Sequence, residues 1–245
     1  MSTKFKNIYN IKTTYEIKNK YKKNEILLLE KFDKNFIKKY FIETPTRIGI
    51  DYKVDDFEYM RGNSNLNFIS KNIHLKIKIN KETISGYEKI VINKIKKYKN
   101  DYNFISDDIY IKKLYKGKTK NIINSLELIS LVKEVKKLHK IKTKKLIKYD
   151  KELSGKKVFC HGDLRPKNII FSNNKVHLID FEWSRKNSLY WDLASIIVNF
   201  NLNNDQKLLL KRQYGKINDE YLEESIKEVI LVNKLFDESN YFKIN

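Results

Sequence analysis

The sequence has little of the residues that most often bend, break or cross-link a chain. It contains one Cys, two Pro and seven Gly in 245 residues. A single Cys cannot form an internal disulfide, and the N-terminal MSTKFKNIYN lacks the apolar core of a secretion signal, so a reducing, cytoplasmic setting is expected. The longest apolar runs, such as ILLL and ASIIV, are too short to cross a bilayer. We therefore predict a protein without a transmembrane segment.

Arg is also scarce, although the chain is strongly basic. The net charge is +21, yet only five of the 51 basic residues are Arg. Arg dominates bidentate recognition of phosphates and base edges, and the Lys residues here are spread along the whole chain among Asn and Ile. A nucleic-acid-binding module would explain the charge but would leave the motifs described below as accidents. No specific nucleic acid is expected as a partner.

The residues that are abundant predict an α+β protein. Hydrophobic residues make up 41% of the chain and aromatic residues 13%, which is enough for a packed core. Residues 16–41 have helical spacing, the segments RIGIDYKV, FEYM, LNFIS and IHLKIKI predict an antiparallel sheet, and residues 82–98 return to helical spacing. DDIYIKKLY predicts another strand. Residues 121–140 predict a long amphipathic helix whose apolar side consists of Leu128, Leu131, Val132, Val135 and Leu138.

These elements divide the chain into three parts. No Gly/Ser linker or internal repeat is present, and the polar stretch LYKGKTKN at residues 114–121 is the best candidate for a boundary. We predict an N-terminal helical extension in residues 1–45, a sheet-containing lobe in residues 46–115 and a larger, mostly helical lobe in residues 116–245.

The stretch VFCHGDLRPKNIIF, residues 158–171, differs in composition from the rest of the chain. Asp163 and Asn168 match the D-L-x-x-x-N pattern of the protein-kinase catalytic loop, and His161 precedes the Asp by two residues. In such a loop the Asp accepts the proton of the attacking hydroxyl, while the Asn binds a magnesium ion on the nucleotide phosphates. The spacing predicts that one loop carries a base and a metal ligand.

A second motif follows at the distance that a hairpin would span. IIF and VHLI flank the polar turn Ser172–Lys175, so the returning strand should bring Asp180 close to Asn168. Asp180-Phe181-Glu182 stands where kinases have Asp-Phe-Gly, whose Asp binds magnesium. An isolated His-x-Asp would more simply be a turn, but three elements in order indicate a kinase-like site.

Together these segments resemble the choline/ethanolamine kinase family, within the superfamily that also contains the aminoglycoside phosphotransferases. DFEWS followed by YWDLA is similar to the choline kinase branch, which includes bacterial enzymes that supply phosphocholine for surface glycans. His161-Gly162-Asp163 departs from the His-Asn-Asp that is frequent in that branch. The resemblance implies a two-lobed, protein-kinase-like fold and the use of ATP and Mg²⁺.

The resemblance also assigns the nucleotide-binding residues. GNSNLNF, residues 62–68, is similar to the family's nucleotide loop, with Gly62, Ser64 and Asn65 as phosphate-binding candidates. Lys76 is the candidate strand residue that pairs with the nucleotide phosphates, and Lys78, two residues on, is the alternative. The acidic partner of this Lys is expected at Glu88, with Glu82 as the alternative.

The segment after Asp180 is expected to contact the acceptor. A quaternary ammonium donates no hydrogen bonds, so aromatic faces and carboxylates must hold it. The candidates are Glu182, Trp183, Tyr190 and Trp191, although Trp191 could instead fill the core.

The remaining residues of the motifs are expected to have structural roles. Asp192 would cap the helix DLASIIVNF and support the catalytic loop. His161 is a scaffold of that loop, His139 a capping or packing residue, and Cys160 a buried strand residue.

The expected function is phosphorylation of a primary hydroxyl of choline or ethanolamine, with Asp163 as the base. Thiamine, aminoglycoside or sugar kinases of the same superfamily would share the nucleotide residues and differ in the acceptor pocket. A non-catalytic kinase-like protein is the alternative from another class. Relatives often form dimers, so a homodimer stays open.

Overall fold

The computed structural model describes residues 58–61, 65–70, 73–78, 84–148, 151–173 and 175–241. The predicted helices of residues 16–41, the predicted strand RIGIDYKV and the extension of residues 1–45 lie outside these ranges. The chain divides into two compact units, one ending at Leu114 and one beginning at Tyr115.

The first unit contains a five-stranded antiparallel sheet with the strand order β1-β2-β3-β5-β4. Its strands are β1 (Glu58–Arg61), β2 (Asn65–Ser70), β3 (Ile73–Lys78), β4 (Tyr102–Phe104) and β5 (Ile109–Lys113). The predicted sheet is confirmed, but β4 was not predicted. In β3, which lies between β2 and β5, Ile73, Leu75 and Ile77 are buried at 2% exposure or less.

Two short helices, α1 (Tyr87–Ile92) and α2 (Lys96–Lys99), stand where one helix was predicted over residues 82–98. The helical path stops at Asn93, and Ile95 has an extended backbone with φ −96° and ψ 91°. Ile95 is only 5% exposed, so this interruption places another apolar side chain in the core.

The long predicted helix of the second unit is α3 (Ser125–Leu138). Asn124 begins it with a capping box: its side chain accepts from the Glu127 N–H, and Glu127 accepts from the Asn124 N–H. All five residues of the predicted apolar side are buried. The predicted amphipathic helix is confirmed, with a later start.

The described part of the second unit contains four short strands and three further α-helices. The strands are β6 (Lys157–Cys160), β7 (Ile169–Ser172), β8 (Lys175–Leu178) and β9 (Arg185–Ser188), and the helices are α4 (Leu189–Asn199), α5 (Asn204–Tyr214) and α6 (Asp219–Tyr241). β7 and β8 form the predicted hairpin, and β6 pairs antiparallel with β9. α4 packs against α6, and α3 against α5.

Across the described ranges, no helix combines the length and the apolar character that crossing a bilayer requires.

Candidate active site

The loop between β6 and β7 carries the predicted base. Asn168 donates from Nδ2 to Asp163 Oδ2 over 2.8 Å and to the Asp163 backbone oxygen over 3.0 Å. A 3₁₀ turn, Pro166–Asn168, closes the loop, and the Asn168 N–H donates to the Arg165 oxygen. The structure thus brings the predicted base and the predicted metal ligand into direct contact.

The hairpin of β7 and β8 returns the chain to this loop. The Ile179 N–H donates to the Asn168 backbone oxygen over 3.0 Å. Asp180 is the next residue along the chain, so this bond holds its backbone close to the loop. Asp180 has a left-handed backbone, with φ 67° and ψ 68°. Such a conformation is uncommon outside Gly and often marks a functional position. The two predicted magnesium ligands therefore come from adjacent backbone segments.

His161 supports the loop through its ring. Nδ1 accepts from the Asp163 N–H at 3.3 Å, which makes Nε2 the nitrogen that donates to the Ile179 oxygen at 3.1 Å. The residue is fully buried, and its ring packs 4.7 Å from that of Phe181. His161 ties the base segment to the segment that carries Asp180.

Asp192 holds the same loop from α4. Its Oδ2 accepts from the His161 N–H at 2.8 Å, and its Oδ1 accepts from the Gly162 N–H at 3.2 Å. His139 Nε2 lies 3.1 Å from Asp192 Oδ2, and the Tyr214 hydroxyl lies 2.7 Å from His139 Nδ1. Burial raises the pKa of the Tyr214 phenol above its ordinary value, so the hydroxyl keeps its proton. The fully buried Asp192 is thus a structural support of the loop. It is not the helix cap that was predicted, because α4 begins at Leu189 and the Ser188 side chain caps it by accepting from the Tyr190 N–H.

Cys160 ends β6 directly before the motif. Its thiol is fully buried and donates to the Ser188 oxygen at 3.2 Å. Burial, together with the nearby Asp192 charge, raises the pKa of this thiol well above its usual value. Cys160 is therefore a protonated core residue and not a nucleophile.

Gly162 has a specific steric reason to be Gly. Its φ is +86°, and a Cβ atom there would lie 2.1 Å from the Trp183 carbonyl oxygen. Any other residue would combine backbone strain with a clash against main chain. The close approach of the Trp183 carbonyl therefore accounts for a Gly at this position.

The four predicted acceptor residues differ in exposure. Trp191 is 5% exposed and donates from its indole N–H to the Gly162 oxygen at 3.2 Å. Tyr190 is 6% exposed, and its hydroxyl accepts from the Asn218 N–H. Glu182 is buried too, whereas Trp183 is partly exposed. These contacts favour a role in core packing for Trp191, the alternative to acceptor binding, and they favour the same role for Tyr190.

One face of the Trp183 ring has a cation beside it. The Arg185 guanidinium lies 5.4 Å from the ring centroid, and its Nε donates to the Trp183 oxygen at 3.0 Å. The ring therefore already takes part in a cation–π contact within the chain.

The first unit contains the predicted Lys–Glu pair. Lys76 Nζ lies 3.3 Å from Glu88 Oε2, and the Tyr110 hydroxyl donates to Glu88 Oε1 at 3.1 Å. The Lys76 and Glu88 side chains are 5% and 9% exposed. The alternative, Lys78, is instead 3.8 Å from Asp108. Of the two candidate Lys residues, Lys76 is the one that contacts Glu88.

The predicted nucleotide loop is described only at its end. Gly62, Ser64 and the alternative Glu82 lie outside the described residues. Asn65 begins β2, is 5% exposed and accepts at its backbone oxygen from Asn67 Nδ2.

Sequence reasoning missed the side chains that hold the motifs in place. Tyr110 contacts Glu88, and Arg165, Asn199 and Asn233 form contacts around the catalytic loop. For Arg165 the sequence does contain an indication of a specific role, because it is one of five Arg in a Lys-rich chain and lies inside the catalytic-loop motif.

Comparisons with known proteins agree with this geometry. The family model for choline/ethanolamine kinases matches residues 60–243. A choline kinase from Streptococcus pneumoniae superposes with a TM-score of 0.60 at 14% identity, covering 78% of this chain and 84% of that chain. An ethanolamine kinase from Plasmodium vivax gives 0.55 at 16% identity, covering 78% and 77%.

The same fold also occurs in antibiotic kinases. A macrolide 2'-phosphotransferase from Brachybacterium faecium gives a TM-score of 0.60 at 10% identity, covering 78% of this chain and 88% of that chain. A search of curated proteins finds no significant match. At these identities the solved structures show the fold alone, and they confirm the predicted α+β, kinase-like class. Because the family model spans most of the sequence, the chain belongs to the choline/ethanolamine kinase family, a family of small-molecule kinases.

Proposed function

We propose that the protein transfers the γ-phosphoryl group of ATP to a primary hydroxyl of choline or ethanolamine. The observation that carries the proposal is the Asp163–Asn168 contact, together with the hairpin that delivers Asp180 beside Asn168. Residues 46–115 would form the nucleotide-binding lobe and residues 116–245 the catalytic and acceptor-binding lobe.

Asp163 is the proposed base. Its side chain is 20% exposed and is oriented by Asn168, so it can accept a hydrogen bond from a hydroxyl that enters the site. Catalysis in this class is mainly positioning and electrostatic stabilisation, because the transition state is loose. Asp163 would orient the acceptor hydroxyl and take its proton.

Asn168 and Asp180 suit a hard divalent cation. The Asn168 amide nitrogen donates to Asp163, which leaves the amide oxygen as its ligand atom, and Asp180 adds a carboxylate. Mg²⁺ prefers such oxygen ligands. Bound magnesium would neutralise phosphate charge during transfer. Solved structures of the same fold are described with ATP or ADP bound, which supports the choice of nucleotide.

Lys76 and Glu88 are the proposed phosphate-binding pair of the first unit. Glu88 orients the Lys76 ammonium from one side, and the Tyr110 hydroxyl fixes Glu88. Phosphate oxygens form strong charge-assisted hydrogen bonds with a Lys ammonium, so Lys76 is a suitable partner for the phosphates of a nucleotide.

The choice of an amino alcohol rests on family membership and on the partly exposed Trp183. Aromatic rings bind ammonium groups by cation–π attraction, and Trp183 already makes such a contact with Arg185. Phosphorylation of an aminoglycoside, of thiamine or of a sugar is the second candidate, and the likeness to antibiotic phosphotransferases favours an aminoglycoside among these.

The decisive experiment measures ADP formation with choline, ethanolamine, thiamine, aminoglycosides and simple sugars, each with and without Mg²⁺. We expect acceptor-dependent turnover with choline or ethanolamine that requires Mg²⁺. Turnover with another acceptor, and none with choline or ethanolamine, would contradict the proposed substrate but not the kinase activity. No turnover with any acceptor would contradict the kinase activity itself.

Asp180→Asn tests the metal assignment in the same assay. This variant should lose Mg²⁺-dependent nucleotide binding, measured by calorimetric titration, and should lose turnover with it. Asp205→Asn is the matched control, because Asp205 is an exposed residue in the first turn of α5. Unchanged Mg²⁺ dependence in Asp180→Asn would remove Asp180 from the site.

A further inference from the structure

Arg165 contacts the proposed base directly. Its Nε lies 3.0 Å from Asp163 Oδ1, and the two side chains are 22% and 20% exposed. Asn168 holds the other carboxylate oxygen, Oδ2, at 2.8 Å. The carboxylate is therefore fixed from two sides. Each of its oxygens can accept two hydrogen bonds, so this fixation is compatible with an incoming hydroxyl.

The guanidinium of Arg165 is itself held by the C-terminal helix α6. Its Nη2 donates to Asn233 Oδ1 at 3.1 Å. Asn233 Nδ2 donates to Asn199 Oδ1 at 2.9 Å, and Asn199 Nδ2 donates to the Leu164 oxygen at 3.0 Å. These contacts form a ring, which we call the Arg165 ring. It leaves the catalytic loop at Leu164, passes through α4 and α6, and returns at Arg165.

The contacts at position 165 require an Arg and would not be reproduced by a Lys. The chain carries nearly all of its positive charge on Lys, and only five of its 51 basic residues are Arg. The planar fork of a guanidinium can bridge two acceptors at fixed angles, whereas a Lys ammonium is a point charge on a flexible stem. A Lys here could reach Asp163 but would not hold Asp163 and Asn233 in one rigid geometry.

We propose that Arg165 is a positioning residue for Asp163, and that Asn233 of α6 sets the position of Arg165. The inference rests on the proposed function, because it assumes that Asp163 receives the acceptor hydroxyl. It gives α6 a role in catalysis in addition to its packing against α4. The position of Asp163 then depends on three segments: the catalytic loop itself, the end of α4 and α6.

Steady-state kinetics of three variants test this role. Arg165→Met should lower kcat by about 10–100-fold with little change in the KM for ATP, because a misplaced base slows transfer without weakening nucleotide binding. Arg165→Lys should recover part of kcat. Asn233→Ala should lower kcat by a smaller factor, about threefold to tenfold. Arg212→Lys and Leu235→Ala change exposed side chains and should leave kcat unchanged.

A double-mutant cycle separates positioning from general damage. If Asn233 acts through Arg165, the double variant Arg165→Met, Asn233→Ala should have the kcat of Arg165→Met alone. Multiplying losses would overturn the inference, as would a wild-type kcat in Arg165→Met. A rise in the KM for ATP without a fall in kcat would also overturn it.

The same cycle in thermal unfolding midpoints does not depend on turnover. Non-additive shifts for the two substitutions support the coupling of Arg165 to Asn233, and additive shifts overturn it. If the wild-type protein transfers phosphate to no acceptor, the proposed function fails while this cycle still decides the coupling. Active wild-type protein with additive shifts leaves the function in place and removes the inference.

Discussion

The two units hold their functional side chains in different ways. In the first unit, the buried ion pair Lys76–Glu88 extends from a strand and a helix, β3 and α1, and the Tyr110 hydroxyl donates to Glu88. In the second unit, Asp163 lies in an irregular loop whose backbone is bonded to Asp192 and to His161. A strand and a helix can place side chains with few supports, whereas a loop needs many bonds from other elements to reach a comparable precision.

The contrast also concerns the origin of the supports. Glu88 lies 12 residues from Lys76, and Tyr110 lies 22 residues beyond Glu88, separations similar to the 31 residues between His161 and Asp192 of α4. The contacts from α6 are the ones that come from much farther along the chain. The catalytic loop takes contacts from α4 and α6, up to 68 residues away in sequence. Substitutions in these helices that remove the contacts should therefore change the position of the catalytic loop, although neither helix carries a proposed reacting group.

The largest expected effect is at the base. Asp163→Asn keeps the size of the side chain and an acceptor oxygen but cannot accept a proton, so kcat should fall by about 10²–10⁴-fold. Initial rates and nucleotide titrations on the same preparation check this expectation. MgATP affinity should stay within a few-fold of wild type, and a near-normal kcat would mean that another group is the base.

A smaller loss is expected at the ion pair of the first unit. Lys76→Met should lower kcat/KM for ATP by about 100-fold, because it removes the proposed phosphate-binding cation and leaves Glu88 buried without it. Lys78→Met is the matched control, since Lys78 pairs with Asp108 on a part-exposed site. Equal losses in the two variants would show that Lys76 has no special role.

Gly162→Ala measures how tightly the loop is packed. Gly162 and Gly215 both have positive φ, but a Cβ at Gly162 meets the Trp183 oxygen, whereas a Cβ at Gly215 meets nothing within 4 Å. Gly215→Ala should cost only backbone strain, about 1–3 kcal/mol in unfolding free energy. Gly162→Ala should cost more and should also lower kcat. Chemical denaturation and kinetics of both variants check this, and equal costs would rule out the clash.

The smallest effect on activity is expected at the two Trp residues. Trp183→Ala should raise the KM for the acceptor by about tenfold or less, the size of one cation–π contact. Trp191→Phe should leave that KM unchanged and reduce unfolding free energy by about 1–3 kcal/mol, because it loses the bond to the Gly162 oxygen. A raised acceptor KM in Trp191→Phe would return this residue to the acceptor pocket.

Much of the fold could be predicted because periodicity reports burial. The apolar residues of α3 recur at helical spacing, and all five are buried. The break between α1 and α2 could not be predicted, because Ile95 would fit a continuous helix equally well. Its extended backbone is decided by packing in the core, which the local sequence does not show. β4 was missed because three residues, Tyr102–Phe104, are too few for an alternation to be recognised.

The order of residues was enough to predict which side chains carry the proposed chemistry. Asp163, Asn168 and Asp180 are candidates because of their spacing, and the loop and the hairpin that contain them are local structures whose geometry follows from the order of residues. Tertiary structure alone decided which residues support them. Asp192 accepts from two backbone N–H groups of the loop, Asn233 accepts from Arg165, and the Trp183 oxygen lies against Gly162. Each of these contacts joins two different elements of the fold. Such contacts depend on how helices and loops pack, and the order of residues within one segment carries no signal of them.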